Sequence, residues 1–153
     1  MPASPTLLIR SENDMRDLGA RLIAACDRGG VITLKGELGT GKTTLVRGAL
    51  EAEGIGSGVR SPTYTLVEFY PLERFAVAHF DLYRLADAEE LEYLGYRDYL
   101  NLETLCFIEW PQRAGKYLQS IDLEIEFDYD PEGRRVCLSP NSEWGRGLVS
   151  RLN

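Results

Sequence analysis

The segment Gly36-Glu37-Leu38-Gly39-Thr40-Gly41-Lys42-Thr43 fits G-x-x-x-x-G-K-[ST], the loop that wraps a polyphosphate in nucleotide triphosphatases, and its flanks have the form the loop requires. Before it, Val31-Ile32-Thr33-Leu34-Lys35 is a β-branched, apolar run. After it, Leu45, Val46, Ala49 and Leu50 recur at helical spacing until Gly54, which suits a helix end. The four fixed positions would coincide by accident in on the order of 0.5% of chains of this length, and the matching flanks make accident rarer still. Strand, glycine loop and helix in that order commit the chain to a βα unit, and hence to a sheet with a parallel centre.

The residue types follow from the chemistry. Phosphate oxygens must be approached by backbone N–H groups, so side chains must be missing where the loop closes. Gly36, Gly39 and Gly41 supply that absence. A helix starting near Lys42 would aim its positive end at the phosphates. Lys42 would reach the β and γ oxygens, the Thr43 hydroxyl would take one position on Mg²⁺, and Thr44 stands next in line for the α-phosphate.

A chain of 153 residues is expected to form a single P-loop ATPase domain over 1–153. At that size it can bury roughly 70% of its unfolded surface without a stabilising metal or disulfide. Its 24 acidic against 17 basic residues give a net charge of −7, with no Lys/Arg run. Tight, unaided binding to nucleic acid is therefore not expected, because neutralising phosphates supplies most of such affinity. Cys26, Cys106 and Cys137 are widely spaced, form no C-x-x-C, and read as buried reduced thiols. The first fifteen residues have neither a basic start nor an apolar core, and no run approaches membrane-spanning length, so a cytoplasmic protein with no membrane partner is expected.

Elsewhere strands and helices alternate. A strand at Thr6 to Ile9 leads through Ser11 or Asn13, either a possible N-cap, into a helix with Met15, Leu18, Leu22, Ile23 and Cys26 on one stripe, closed by Asp27-Arg28-Gly29-Gly30. After the glycine-rich Gly54 to Gly58 connection, Tyr64 to Tyr70 and Phe75 to Phe80 read as a hairpin through Pro71 to Arg74. Asp87 to Leu94 reads as a short acidic helix, followed by a turn or so at Tyr96 to Leu100. Leu105 to Ile108 is an apolar strand. Ile121 to Tyr129 and Arg134 to Leu138 form a second hairpin, and Ser142 to Leu152 a closing helix. The fold class expected is α/β: a P-loop NTPase-like sheet with a parallel centre, helices on both faces, and antiparallel hairpin additions.

In such sheets ligands sit at the carboxyl ends of the strands. Asp81 follows Ala76-Val77-Ala78-His79-Phe80, and Glu109 follows Leu105-Cys106-Phe107-Ile108, so each places a carboxylate at that end. A P-loop enzyme needs a second group on Mg²⁺ and another to position water. Lys42, Asp81 and Glu109 are therefore the catalytic candidates, although an acid after a strand is also an ordinary surface residue. His79 lies on the Asp81 face of its strand by period-two alternation. It would orient Asp81, touch a phosphate, or serve structure alone. Ser61-Pro62-Thr63-Tyr64-Thr65 stands where P-loop proteins keep nucleotide-sensing switches, with Thr63 a candidate nucleotide contact or else part of a plain turn. Arg60 would be a finger in cis or a solvated arginine, and Trp110-Pro111 forces a turn in which Trp110 walls the site or fills a core edge.

Taken in order, Gly36 to Thr44, then Ser61-Pro62-Thr63-Tyr64-Thr65-Leu66-Val67, then His79-Phe80-Asp81-Leu82-Tyr83-Arg84-Leu85, then Glu109-Trp110-Pro111 resemble the signature of the TsaE family, also called YjeE, across nearly the whole chain. The resemblance implies an ATPase that uses ATP and Mg²⁺ and works with the TsaD and TsaB proteins to make threonylcarbamoyladenosine beside the tRNA anticodon. In such an assembly TsaD makes the transfer, ATP hydrolysis resets the complex, and tRNA is met through the complex rather than by this chain alone. It further implies that Thr43 and Glu109 are metal ligands, that Gly36, Glu37, Leu38, Gly39, Thr40, Gly41, Lys42, Thr43 and Thr44 cradle the phosphates, and that Asp81 is a site carboxylate. Arg134, beside Gly133, and the Glu12-Asn13 region resemble nucleotide-contacting positions. Thr40 replaces a frequent alanine and Gln112 a frequent acid. A small-molecule kinase would need an Arg-rich lid, a GTPase an N-K-x-D, and neither stands out; a non-catalytic nucleotide-sensing adaptor is the remaining alternative.

Overall fold

The computed structural model describes residues 4–56 and 66–152. Along the chain run β1 (Thr6–Ile9), α1 (Glu12–Ala25), β2 (Gly30–Lys35), α2 (Lys42–Ala52), β3 (Val67–Pro71), β4 (Ala76–Asp81), α3 (Glu90–Tyr93), β5 (Thr104–Glu109), β6 (Leu123–Asp130), β7 (Gly133–Pro140) and α4 (Glu143–Leu152), with 3₁₀ turns at Tyr96–Tyr99 and Pro111–Tyr117. Among the described residues, seven strands form one sheet in the order β1-β7-β6-β2-β5-β4-β3. The inner four, β6, β2, β5 and β4, are parallel. Antiparallel β7 and β1 extend one edge and antiparallel β3 the other.

The fold class read from sequence is the fold observed. Both hairpins form, β3 with β4 and β6 with β7, and β6 in addition joins β2 in parallel. Ser11, not Asn13, caps α1: its hydroxyl accepts the Asp14 N–H at 3.1 Å. Gly54 closes α2 in the left-handed region, φ 90°, and the Ile55 N–H returns to the Leu50 carbonyl at 3.0 Å.

Period-two alternation along the strands divides the core into two layers. On one face Ile32, Leu34, Leu105, Phe107, Leu123 and Ile125 pack under α1, α2 and α4. There Leu18, Leu22, Leu45 and Leu50 are essentially inaccessible, each side chain contributing roughly 1.5–3 kcal/mol of burial free energy. On the other face Val31, Ala78, Phe80, Cys106 and Ile108 are covered by Leu82 and Leu85 from the turn after β4, and by Leu91, Tyr96 and Ala114 from short helical turns rather than full helices. Helices α1 and α2 approach so closely that a Cβ at Gly19 would strike the Leu45 carbonyl, and one at Gly48 the Arg16 backbone.

Boundaries differ from the sequence reading where tertiary pairing extends a strand or local hydrogen bonds shorten a helix. Strand β5 gains Thr104 and Glu109 through parallel pairing with β2 and β4. The acidic helix is only Glu90–Tyr93, because Asp87 and Glu90 carboxylates bind preceding or following backbone N–H groups as turns. The Tyr64 and Thr65 end of the strand drawn from sequence lies outside the described residues. Among the thiols, Cys26 and Cys106 are buried, and burial pushes both up to about 12, whereas Cys137 is only partly covered. No helix among the described residues is long and apolar enough to cross a membrane.

Candidate nucleotide site

The loop Gly36–Gly41 springs from the carboxyl end of β2 and enters α2 at Lys42. Gly39 and Gly41 both lie in the left-handed region, φ 76° and 109°, which a side chain would strain. A Cβ at Gly36 would come within 2.7 Å of the Phe127 carbonyl, so this residue sets the loop against β6. The Thr40 hydroxyl donates to the Glu37 carbonyl at 2.7 Å and holds the curve from inside. Unlike Ser11 of α1, Gly41 at the N-cap of α2 offers no side-chain acceptor to the first-turn N–H groups. Those donors, with the positive end of the helix dipole, suit the mouth of the loop to an anion.

The loop borders a cavity of about 750 Å³, whose walls include Leu38 to Thr44, Asp81, Glu109, Trp110, Arg84, Ser11, Glu12, Met15 and Arg134. Lys42 is buried, and its ammonium donates to the Gly36 carbonyl and, at 3.3 Å, to the Glu37 carbonyl. It also lies 4.0 Å from the centroid of the Trp110 ring. Burial pulls the Lys42 amine below the usual lysine range, opposed by the negative charges of Glu109, Asp81 and Glu37. Trp110 achieves this stacking from a left-handed backbone, φ 58°, at the turn where β5 ends.

The carboxylates meet from adjacent strands. Parallel register sets Asp81 of β4 opposite Glu109 of β5. Glu109 is 2% exposed, and its Oε2 accepts both the Thr43 hydroxyl at 2.8 Å and the His79 Nε2 at 2.6 Å. Asp81 is half-buried and accepts the Tyr83 N–H at 3.1 Å. Burial first, then the neighbouring Glu109 charge, raises the Asp81 carboxyl above its usual range. Two acids, one hydroxyl and one buried ammonium therefore converge at the mouth of the loop. The donor set is hard oxygen throughout, which suits Mg²⁺ held by a carboxylate, a hydroxyl, phosphate and water rather than by a protein cage. No group of three His, Cys, Asp or Glu side chains arranged to hold a metal ion by themselves occurs among the described residues.

Most of the residues singled out from sequence come together here. Leu38, Gly39, Thr40, Gly41, Lys42, Thr43, Thr44, Asp81, Glu109 and Arg134 all line the cavity, while Gly36 and Glu37 form the base of the loop. Arg134 donates to the Gly39 carbonyl at 3.1 Å and stacks 5.0 Å from the Tyr129 ring. Glu12 also lines the cavity. Trp110 walls the site. His79 binds Glu109 and not Asp81, because its ring crosses diagonally to the neighbouring strand rather than along its own. Thr63, Arg60 and the Ser61 to Thr65 segment lie outside the described residues. Two participants had no role assigned from sequence. Tyr129 donates to the Leu38 carbonyl and braces the loop from β6, and Arg84 is an exposed cation at the rim. Arg84 stands three residues after Asp81, a spacing that would have flagged it.

Comparison with known proteins accords with this geometry. The family profile described as threonylcarbamoyl adenosine biosynthesis protein TsaE matches residues 9–137. A tRNA threonylcarbamoyladenosine biosynthesis protein TsaE from Haemophilus influenzae is 44% identical over 123 residues, covering 80% of this chain and 78% of that protein. Its namesake from Bacillus subtilis is 38% identical, covering 69% and 66%, and that from Aquifex aeolicus is 32% identical, covering 84% and 90%. The crystal structure of Bacillus subtilis YdiB superposes with a TM-score of 0.75 at 23% identity, covering 99% of this chain and 95% of that one, which shows the shared fold. On the family profile and these relatives, the chain belongs to the TsaE family.

Proposed function

We propose that this chain is a Mg²⁺-dependent ATPase, folded as a single domain and cytoplasmic, that supports threonylcarbamoyl modification of the tRNA adenosine beside the anticodon as a turnover subunit acting with TsaD and TsaB. The observation that carries the reading is the convergence of Lys42, the Thr43–Glu109 pair and Asp81 on one cavity at the mouth of a P-loop. In it, Gly36 to Thr44 hold the polyphosphate through backbone N–H groups, and Lys42 leaves its two carbonyl partners for phosphate oxygens. Bound Mg²⁺ supplies charge neutralisation of the phosphates. Thr43 and Glu109 are the residues that would hold it, and Asp81, whose carboxyl burial and then Glu109 hold above its usual range, would orient a water and take its proton. Arg134 contacts the nucleotide, and Thr63 is proposed to do so from the segment beyond Gly56.

Partner dependence has a physical rationale in the site. Leu38, on the wall of the cavity, is an apolar side chain 57% exposed, and a water-excluding hydrolytic site would be completed by a partner surface that covers it. The net charge of −7 leaves tRNA contact to a more basic partner. The test is steady-state phosphate release from ATP by the purified chain, alone and with TsaB, TsaD and tRNA. Weak release alone and a marked rise with the full set is the expected result. Binding without release under every condition would replace the ATPase with a nucleotide-sensing adaptor, and transfer of phosphate to a small acceptor would make it a kinase.

A further inference from the structure

His79 sits in the middle of β4, wholly inaccessible, with apolar Val77, Ala78 and Phe80 buried beside it in the strand. Its Nε2 is 2.6 Å from Glu109 Oε2, and its Nδ1 has no partner among the described residues. An unpartnered nitrogen at such a depth costs roughly 1–3 kcal/mol against a satisfied or apolar side chain. A histidine serving the core alone would be replaced at a gain. What it supplies instead is orientation. The Thr43 hydroxyl, from the first turn of α2, and the His79 ring, from β4, grip the same Glu109 oxygen from two elements. Both grips fall on Oε2, so Oε1 receives no donor from the described residues. A carboxylate fastened at one oxygen cannot rotate its other oxygen away.

We propose that His79 is a positioning residue, which clamps Glu109 through Oε2 so that the carboxylate stays presented to the P-loop magnesium when Thr43 turns its own oxygen to the same ion. This rests on the Mg²⁺-ATP reading above and deepens it. Thr43 has two duties: in the structure it donates to Glu109, and as a metal ligand its oxygen must face the ion. Among the described residues, the His79 bond is the one restraint on Glu109 Oε2 that does not depend on Thr43. Hydrogen-bonded partners of this kind typically carry 10–100-fold in metal affinity.

The test measures ATP affinity by calorimetry across a Mg²⁺ titration, with melting temperature taken without nucleotide, for wild type, His79→Leu, His79→Gln and His79→Asn. The Gln amide places an N–H donor near the position of Nε2, whereas the Asn amide reaches only that of Nδ1. The Mg²⁺ concentration needed for half-maximal ATP binding should rise at least about 10-fold in His79→Leu and His79→Asn and stay within about threefold of wild type in His79→Gln. Affinity in EDTA should not change. If His79→Leu does not fold, the Gln and Asn pair decides the matter. Wild-type Mg²⁺ dependence in His79→Asn, or equal losses in Gln and Asn tracking lowered melting temperatures, would overturn the proposal. Absence of Mg²⁺-ATP binding by wild type would overturn the nucleotide reading with it, and so is distinguishable.

Discussion

Replacing Thr43 by Val removes one hydroxyl and almost no volume, so it isolates the hydrogen bond to Glu109. That bond is 2.8 Å long and ends on a carboxylate 2% exposed, and bonds to charged groups of this kind are worth about 1.5–3 kcal/mol. Without it, Glu109 Oε2 keeps only His79 among the described residues. In the absence of nucleotide, Thr43→Val should therefore lose about 2 kcal/mol in urea unfolding, or roughly 4–8 °C of melting temperature for a chain of this size. Thr43→Ser, which restores the donor, should lose less than about 0.5 kcal/mol. Combining Thr43→Val with Glu109→Gln should cost less than the sum of the two, with a coupling of about 1–2 kcal/mol, since each removes the same contact. With ATP present, Thr43→Val should abolish the gain in affinity that Mg²⁺ confers. A variant as stable as wild type, with Mg²⁺ dependence intact, would refute both the contact and its conversion into metal ligation.

Asp81 gives a prediction with a sign. Its folded carboxyl is raised, so below its folded value the native state holds a proton that the unfolded state has released, and stability falls as pH climbs from the ordinary Asp range through that folded value. Asp81→Asn should flatten this fall and melt higher than wild type at neutral pH, while losing hydrolysis; a lower melting temperature at pH 7 would contradict the shift. Gly48→Ala would drive a methyl into the Arg16 backbone and separate α1 from α2, so it should destabilise by about 2 kcal/mol or more in urea and blunt ATP affinity through displacement of the loop. Unchanged stability would show that the two helices are not locked in that contact.

The βα unit around Gly36 to Thr43 was legible because everything that defines it is local: a run of β-branched residues, three glycines, a helical stripe. Asp81 and Glu109 were legible by rule, as acids ending apolar strands, and they proved to stand opposite each other in register. The His79–Glu109 contact was not, since it depends on β4 and β5 being parallel neighbours, and register between strands 28 residues apart leaves no mark on periodicity. The Pro111–Tyr117 turns escaped because Gly115, φ 55°, breaks them before a 3.6-residue stripe can develop. Tyr129 looked like one more strand aromatic, and only the crossing of β6 beneath the loop brings its hydroxyl to the Leu38 carbonyl.

Calorimetric titration of ATP into wild type and Lys42→Ala, each with Mg²⁺ and with EDTA, tests the central claim most directly. Lys42 gives up two carbonyl bonds and the Trp110 face to reach phosphate oxygens, so its charge-assisted contacts should add a net of roughly 1.5–3 kcal/mol. The account expects Mg²⁺-dependent binding by wild type and an affinity about 10- to 150-fold weaker in Lys42→Ala. Equal affinity in the two proteins, or wild-type binding indifferent to Mg²⁺, would contradict it.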